Sequence, residues 1–450
     1  MAIATAPTVE ASAPPRNAYD VLQERGFIYQ CSDEVGLRRA LNSGPLTFYG
    51  GFDPTADSLH LGNLVGAMGM AHLQRAGHRA IALVGGGTTM IGDPTDRTSG
   101  RRIMSRKEID ANAQVFKRQL AGILDFSETP EFPEGRGIMV DNADWLLALN
   151  YIEFLRDYGR YFSVNEMLRM ETYRSRLETG LTFLEFNYAL LQAYDFLELY
   201  RRYGCLVQVG GSDQWSNVLA GAHLIQRAEQ GQAFALTWPL LMDTAGSKMG
   251  KSSASGQVWL SPHKTSPYDF YQHFINVDDA AVAQHLAIFT FLPLDEIRDL
   301  TSAEGEALRP AKERLAFEVT RLAHGEAEAQ QAQATSRALF GRRDATFQAA
   351  TMRATASMLP ASMAGEVMPT TEIAAGRLEA GISAVDLLVE AGLAQTRNRA
   401  RQLVEQGGAY VNDERLALSR TITTADLRDG ALLLRKGKKQ YQRVVMKVGT

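Results

Sequence analysis

The chain is 450 residues long, carries a formal net charge of −4, and is 45% hydrophobic and 22% charged. That is the make-up of a globular protein too long for one core, so two to four domains are expected. No apolar run approaches the roughly 20 residues of a bilayer span, which argues against a membrane protein. The two cysteines, Cys31 and Cys205, have no metal-ligand spacing and point to a reducing, cytoplasmic compartment.

Residues 1–18 are rich in Ala, Pro, Thr and Ser and read as a disordered tail. The stretch Tyr49 to Asn63 follows a short apolar strand, Pro45 to Phe48, and Gly50-Gly51 predicts a tight turn. Asp57 or Ser58 is the expected N-cap of a helix that buries Leu61, Leu64, Val65 and Met68. His60 and Asn63 then share another face of its first turn, with Gly62 leaving room between them. A helix start of this kind can seat the phosphates and ribose of a nucleotide.

A second strand, Arg79 to Val84, runs into Gly85-Gly86-Gly87-Thr88-Thr89 and then Gly92-Asp93-Pro94, with Arg97, Arg101 and Arg102 beyond. A mostly helical insertion is expected from about Trp145 to Arg176. The segment Thr182 to Tyr200 is apolar on nearly every face and predicts a buried helix. Tyr188, Gln192 and Asp195 form one polar line along it. Two readings stay open for that line: partners in neighbouring backbone or water, or a pocket for a small ligand bearing an ammonium and a hydroxyl.

Strand, glycine turn and helix recur at Cys205 to Val209, Gly210-Gly211-Ser212-Asp213 and Gln214 to Glu229. The alternation predicts a doubly wound α/β domain on a parallel sheet, with ligands at the carboxyl ends of its strands. Two phosphate motifs fail. The dinucleotide fingerprint would need glycine at Met90, and a P-loop ending at Gly250-Lys251-Ser252 would need glycine at Ala245. The loop Gly246 to Gly256 instead offers Lys248 and Lys251 three residues apart, suited to closing over a polyphosphate.

From Pro267 to Phe340 the chain reads as helical, and residues 346–380 read as a linker. The terminal module begins with helices Ala384 to Ala391 and Thr396 to Gln406, with strands at Tyr410-Val411 and Leu432 to Leu434. Residues 381–450 hold twelve Lys and Arg against seven Asp and Glu, a net of +5, leaving 35 against 44, or −9, for the rest. Such a basic module suits a polyanionic partner.

Taken together, the opening stretch, Gly92-Asp93-Pro94, Tyr188 to Asp195, Gly210 to Trp215 and Lys248-Met249-Gly250-Lys251-Ser252 resemble bacterial tyrosyl-tRNA synthetase, a class I aminoacyl-tRNA synthetase. The likeness runs from about Val21 to the C-terminus. It implies a Rossmann-like catalytic domain over 19–262, an all-helical anticodon-side domain over 263–345, and a small α+β RNA-binding domain over 381–450. The resemblance also implies a homodimer, with L-tyrosine, ATP carrying magnesium, and tRNA(Tyr) as ligands and no membrane partner.

Residue by residue, the resemblance implies that Tyr49 and Asp195 meet the substrate phenol, while Asp93, Tyr188 and Gln192 receive its ammonium. Gln214 would lie near the carboxylate, Asp213 and Asn63 near the ribose, and Gly51 and Gly211 would let adenosine approach the backbone. Thr55 and His60 would hold the far phosphates with Lys248, Lys251 and Ser252, while Arg97 and Arg101 match two basic loop positions. In the terminal module Arg397, Arg399, Arg401, Lys436, Lys438 and Lys439 are the candidate RNA contacts.

Three positions depart from the pattern. Asn63 replaces the second histidine of a His-x-Gly-His motif, Gly50 stands where many relatives have cysteine, and Arg97 replaces lysine. The expected chemistry is attack of the tyrosine carboxylate on the ATP α-phosphorus, followed by acyl transfer to the tRNA 3′ end. A tryptophan-specific relative and a non-catalytic RNA-binding protein of the same fold are the alternatives.

Overall fold

The computed structural model describes residues 17–95, 104–128, 135–178, 180–241, 257–340, 370–428, 430–437 and 440–447. They fall into two units, one of residues up to 260 with 278–308, the other of 261–277 with 309–450.

The first unit is built on a six-stranded sheet. Its strands are β1 (Gln30–Cys31), β2 (Thr47–Phe52), β3 (Arg79–Val84), β4 (Gly137–Asp141), β5 (Cys205–Gly211) and β6 (Phe234–Trp238), in the order β1-β6-β5-β2-β3-β4. All neighbours run parallel except β1, which pairs antiparallel to β6 at the edge. Residues Ala80 to Val84 are all buried because β3 lies between two strands and under helices on both faces. From β2 the chain passes through the helix Leu61–Arg75 to β3 on one side, and β5 later pairs on the other side of β2. The strand order therefore reverses between β2 and β5, which opens a crevice at their carboxyl ends.

Three local expectations are corrected here. Gly50 and Gly51 do not turn: they continue β2, opposite Ala82 and Leu83. Gly50 serves close approach instead, since a Cβ there would stand 2.6 Å from the Met70 sulfur. Neither Asp57 nor Ser58 caps the next helix. His60 does, its Nδ1 accepting from the Gly62 N–H at 3.0 Å while Asn63 Oδ1 accepts from the His60 N–H at 3.1 Å. The buried helix over 182–200 is two helices, Phe183–Phe186 and Tyr188–Tyr203, separated at Asn187.

The insertion forms short helices, and its Trp145, Phe154, Met167 and Tyr173 share one apolar core with Tyr194 and Phe196 of the Tyr188 helix. Inside it Arg176 and Glu185 make a buried ion pair at 2.9 Å. Residues 278–308, expected in the helical domain, cluster with the first unit. Buried Arg25 accounts for this, donating to the carbonyls of Ala287, Thr290 and Leu292 at 3.0, 3.1 and 2.7 Å.

In the second unit the helices Pro267–Ile275, Arg309–His324 and Glu326–Phe340 pack together. The terminal module adds β7 (Thr370–Ala374), β8 (Ile382–Ser383), β9 (Ala409–Val411), β10 (Glu414–Arg415), β11 (Thr421–Ile422), β12 (Ala431–Lys436) and β13 (Gln440–Lys447). They form a sheet β10-β9-β12-β13-β7 and a pair β11-β8. Its helices Ala384–Glu390 and Arg397–Glu405 bury Leu387, Leu388, Ala400 and Val404 against Leu432, Leu434 and Val444. Residues 370–379, expected in the linker, instead supply β7, paired parallel with β13, and a short helix. Among the described residues no helix is long and apolar enough to cross a membrane.

Candidate active site

A cavity of about 350 Å³ occupies the crevice at the ends of β2 and β5. At its closed end Tyr49, on β2, and Asp195, on the Tyr188 helix, are each 1% exposed. Asp195 accepts from the Trp145 indole at 2.7 Å and from the Asn142 amide at 2.9 Å. Burial outweighs both bonds and pushes its carboxyl up to about 8. The Tyr49 hydroxyl, buried and close to Asp195, has no hydrogen-bond partner among the described residues. An unpartnered phenol beside a buried acid is a costly arrangement in an empty pocket and a complementary one for a ligand hydroxyl.

In the middle of the cavity the Tyr188 hydroxyl donates to Asp53 at 2.8 Å, and the Thr88 hydroxyl donates to the other oxygen of Asp53 at 2.8 Å. Asp93 accepts from Gln214 Nε2 at 2.6 Å and from the Thr95 N–H at 2.9 Å. Asn217 donates to Gln214 Oε1 at 3.0 Å and so orients that amide. The buried Oε1 of Gln192 has no partner among the described residues. Two carboxylates and a spare carbonyl thus face one small space, the surroundings an ammonium requires.

At the open end stand Thr55 from the loop after β2, His60, Asn63 and Gly66 from the helix start, Gly211 at the end of β5 and Asp213 just beyond it. The capping bonds occupy His60 Nδ1 and Asn63 Oδ1, which leaves the Asn63 amide N–H groups to meet a ligand. The His60 ring is set edge-on to Trp259, with centroids 6.0 Å apart. A Cβ on Gly211 would lie 2.6 Å from the Asp213 carboxylate and 3.3 Å from Leu240, so glycine there leaves the Asp213 side chain in its place. At Gly51 a Cβ would meet only Leu83, at 3.9 Å.

Residues 41–341 match the family model of class I tRNA synthetases (W and Y), and 362–444 match that of a tyrosine–tRNA ligase C-terminal domain. The tyrosine–tRNA ligase of Acetivibrio thermocellus is 49% identical over 429 residues, covering 95% of this chain and 99% of its own. That of Caldanaerobacter subterraneus is 48% identical over 429 residues, again covering 95% and 99%. The chain belongs to the tyrosyl-tRNA synthetases. A C-terminally truncated mitochondrial tyrosyl-tRNA synthetase from Aspergillus nidulans superimposes with a TM-score of 0.64 at 31% identity, over 72% of this chain and 94% of that one. The Archaeoglobus fulgidus enzyme, solved with L-tyrosine, shares the fold at a TM-score of 0.53 and 18% identity, over 70% and 99% of the two chains.

In this tyrosyl-tRNA synthetase the cavity gathers Tyr49, Gly51, Thr55, His60, Asn63, Asp93, Tyr188, Gln192, Asp195, Gly211, Asp213 and Gln214, twelve positions singled out from the sequence. Arg97, Arg101, Lys248, Lys251, Ser252, Lys438 and Lys439 lie outside the described residues. In the terminal module Arg399 and Arg401 are exposed. Arg397 instead pairs with Asp386 at 2.7 Å, and Lys436 donates to the Leu393 carbonyl at 3.0 Å.

Sequence reasoning missed Asp53, Asn142 and Trp145. Asp53 sits inside the opening stretch, one residue past β2, and its place at a strand's carboxyl end was the available signal. Asn142 and Trp145 follow β4, a strand that went unpredicted, so nothing marked them.

Proposed function

We propose that this tyrosyl-tRNA synthetase binds tyrosine in the closed half of the cavity and ATP in the open half, and makes tyrosyl-adenylate between them. The observation that carries this is the unpartnered Tyr49 hydroxyl beside buried Asp195, at the end of a cavity whose mouth is a capped helix start. The substrate phenol would satisfy both groups, and its ammonium would lie among Asp93, Gln192 and the Tyr188–Asp53 pair. Gln214 would face the carboxylate.

For the nucleotide, Asp213 and Asn63 are assigned to the ribose, Gly51 and Gly211 to close approach, and Thr55 and His60 to the far phosphates. Lys248, Lys251 and Ser252 are assigned to those phosphates as well, with Arg97 and Arg101 adding charge. Magnesium is proposed to arrive on ATP. Among the described residues no group of three or more His, Cys, Asp or Glu is arranged to hold a metal ion.

In the first step a tyrosine carboxylate oxygen bonds to the α-phosphorus as the bond to the β-phosphate oxygen breaks, releasing pyrophosphate. The nucleophile is already an anion. No protein base is required, and the residues act by alignment and by charge complementary to the transition state. In the second step a hydroxyl of the terminal tRNA ribose attacks the acyl carbon and AMP departs.

Tyrosine rather than tryptophan is supported by the paired hydroxyl and carboxyl at 49 and 195, which leave a ligand without a phenol unable to satisfy either group. A homodimer is supported by apolar side chains exposed along the insertion, among them Ile152 at 70% and Leu147 at 58%. Free Cys31 and buried free Cys205 suit the cytoplasm. The test is exchange of labelled pyrophosphate into ATP. Exchange that depends on tyrosine and ignores tryptophan is expected; exchange driven by tryptophan, or none at all, would sink the proposal.

A further inference from the structure

We propose that Trp238 is a nucleotide-binding residue, its indole N–H donating to the adenosine half of ATP. The inference rests on the reading above that ATP occupies the open half of the cavity.

Trp238 ends β6 and pairs in register with Gly211. Its side chain lies across the helix Leu61–Arg75. The six-membered edge of the indole comes so close to Gly69 that a Cβ there would stand 2.9 to 3.1 Å from its carbons, so a side chain at 69 would drive the ring away. The other end of the ring points to Gly66, with Nε1 3.6 Å from where a Cβ would be. Asn63, Gly66 and Gly69 follow one another at three-residue spacing, so they share a helix face, and the indole nitrogen is directed along it toward the helix start. Phe27 stands edge-on to the ring, with centroids 6.0 Å apart and planes at 77°, and holds it in place.

Trp238 is 3% exposed, and its nitrogen has no acceptor among the described residues. An indole nitrogen can only donate, and this one opens on the cavity, where it offers a ligand acceptor a hydrogen bond. Trp238, Gly66, Asn63 and Gly211 all line the cavity. Adenine ring nitrogens and ribose oxygens are acceptors of the required kind. The glycines at 66 and 69 are then explained together: one admits the ring, and the other keeps its N–H uncovered.

The test uses the full chain in tyrosine-dependent ATP–pyrophosphate exchange. Trp238→Phe keeps an aromatic ring beside the helix and removes the donor with part of the indole, so the KM for ATP should rise about three- to tenfold while that for tyrosine stays within about twofold. Gly66→Ala places a methyl in ordinary contact with Nε1 and should weaken ATP binding similarly. It should also raise the melting temperature, because a glycine leaves a helix interior, which separates the effect from misfolding. Unchanged KM for ATP in both variants, with Asn63→Ala still raising it, overturns the assignment of Trp238 alone. If Asn63→Ala also leaves it unchanged, the nucleotide does not occupy this half of the cavity, and the reading underneath fails.

Discussion

Trp145 donates its indole N–H to one oxygen of Asp195 at 2.7 Å, and this bond ties the floor of the pocket to the insertion that follows β4. With Asn142 on the other oxygen, the carboxyl group is held in place before any ligand arrives. Asp195→Ala should therefore abolish tyrosine-dependent exchange. Trp145→Phe should be milder, leaving one donor of two: a hydrogen bond to a neutral carboxyl contributes about 0.5–1.5 kcal/mol, so the KM for tyrosine should rise about two- to tenfold. The KM for ATP should not move, and a parallel rise in both constants would mean that Trp145 supports the fold and not the pocket.

The same carboxyl makes stability depend on pH. Its value of about 8 in the folded chain lies above that of an unfolded aspartate, near 3.9, so between these limits the folded state holds a proton that the unfolded state has lost. The stabilisation is complete below about pH 4 and is lost as pH rises toward 8. Asp195→Asn removes the titration while keeping the shape. The stability of the wild type relative to this variant, followed by urea unfolding, should fall from pH 5 to pH 8. A flat difference would show that Asp195 ionises normally in the empty pocket.

Gly50 and Met70 should behave as a matched pair. The space beside Gly50 is filled from the neighbouring helix, since a Cβ on Gly50 would come within 2.6 Å of the Met70 sulfur and 3.3 Å of Val209. Met70 is fully buried, so its thioether has little room to swing away. Gly50→Cys should cost about 1–3 kcal/mol by overpacking. Met70→Val shortens the obstructing side chain, and the double variant should be more stable than the two separate losses predict, by about 1 kcal/mol. Additive losses in a thermal or urea melt would mean that the two sites do not share the space.

The legible and the illegible parts of the sequence divide along physical lines. Arg79 to Val84 was readable to the residue because a strand covered on both faces is apolar where it is buried, here from Ala80 onward. The line Tyr188, Gln192 and Asp195 was readable because polar groups on a buried helix have to face something polar, and all three face the cavity. Gly50 misled because glycine marks close approach as well as turning, and local sequence does not distinguish the two. Asp57 and Ser58 are better cap formers than His60 by propensity, yet the pairing of His60 with Asn63 completes the cap. β7 was hidden in an apparent linker because its partner, β13, lies some seventy residues on, and pairing at that distance leaves no local signature.

The final prediction concerns the basic terminal module. Of its described cations, Arg397 already faces Asp386, and Lys436 is bonded to a carbonyl. Arg399 and Arg401 are exposed at the start of the helix Arg397–Glu405 and have no acidic partner among the described residues. If they meet tRNA phosphates, each contact releases counterions, and binding weakens with salt in proportion to the number of contacts. Replacing both with alanine in the full chain should lower tRNA affinity and make the slope of log affinity against log salt shallower by about 1 to 2. Tyrosine-dependent pyrophosphate exchange, which involves no tRNA, should be untouched. Arg397→Ala should change the slope less, because its charge is partly neutralised by Asp386. A truncation offered as the same test should begin before Thr370, since removing only 381–450 would leave β7 without the strand it pairs with. An unchanged salt slope in the Arg399 and Arg401 double variant would remove these arginines from the RNA-binding surface.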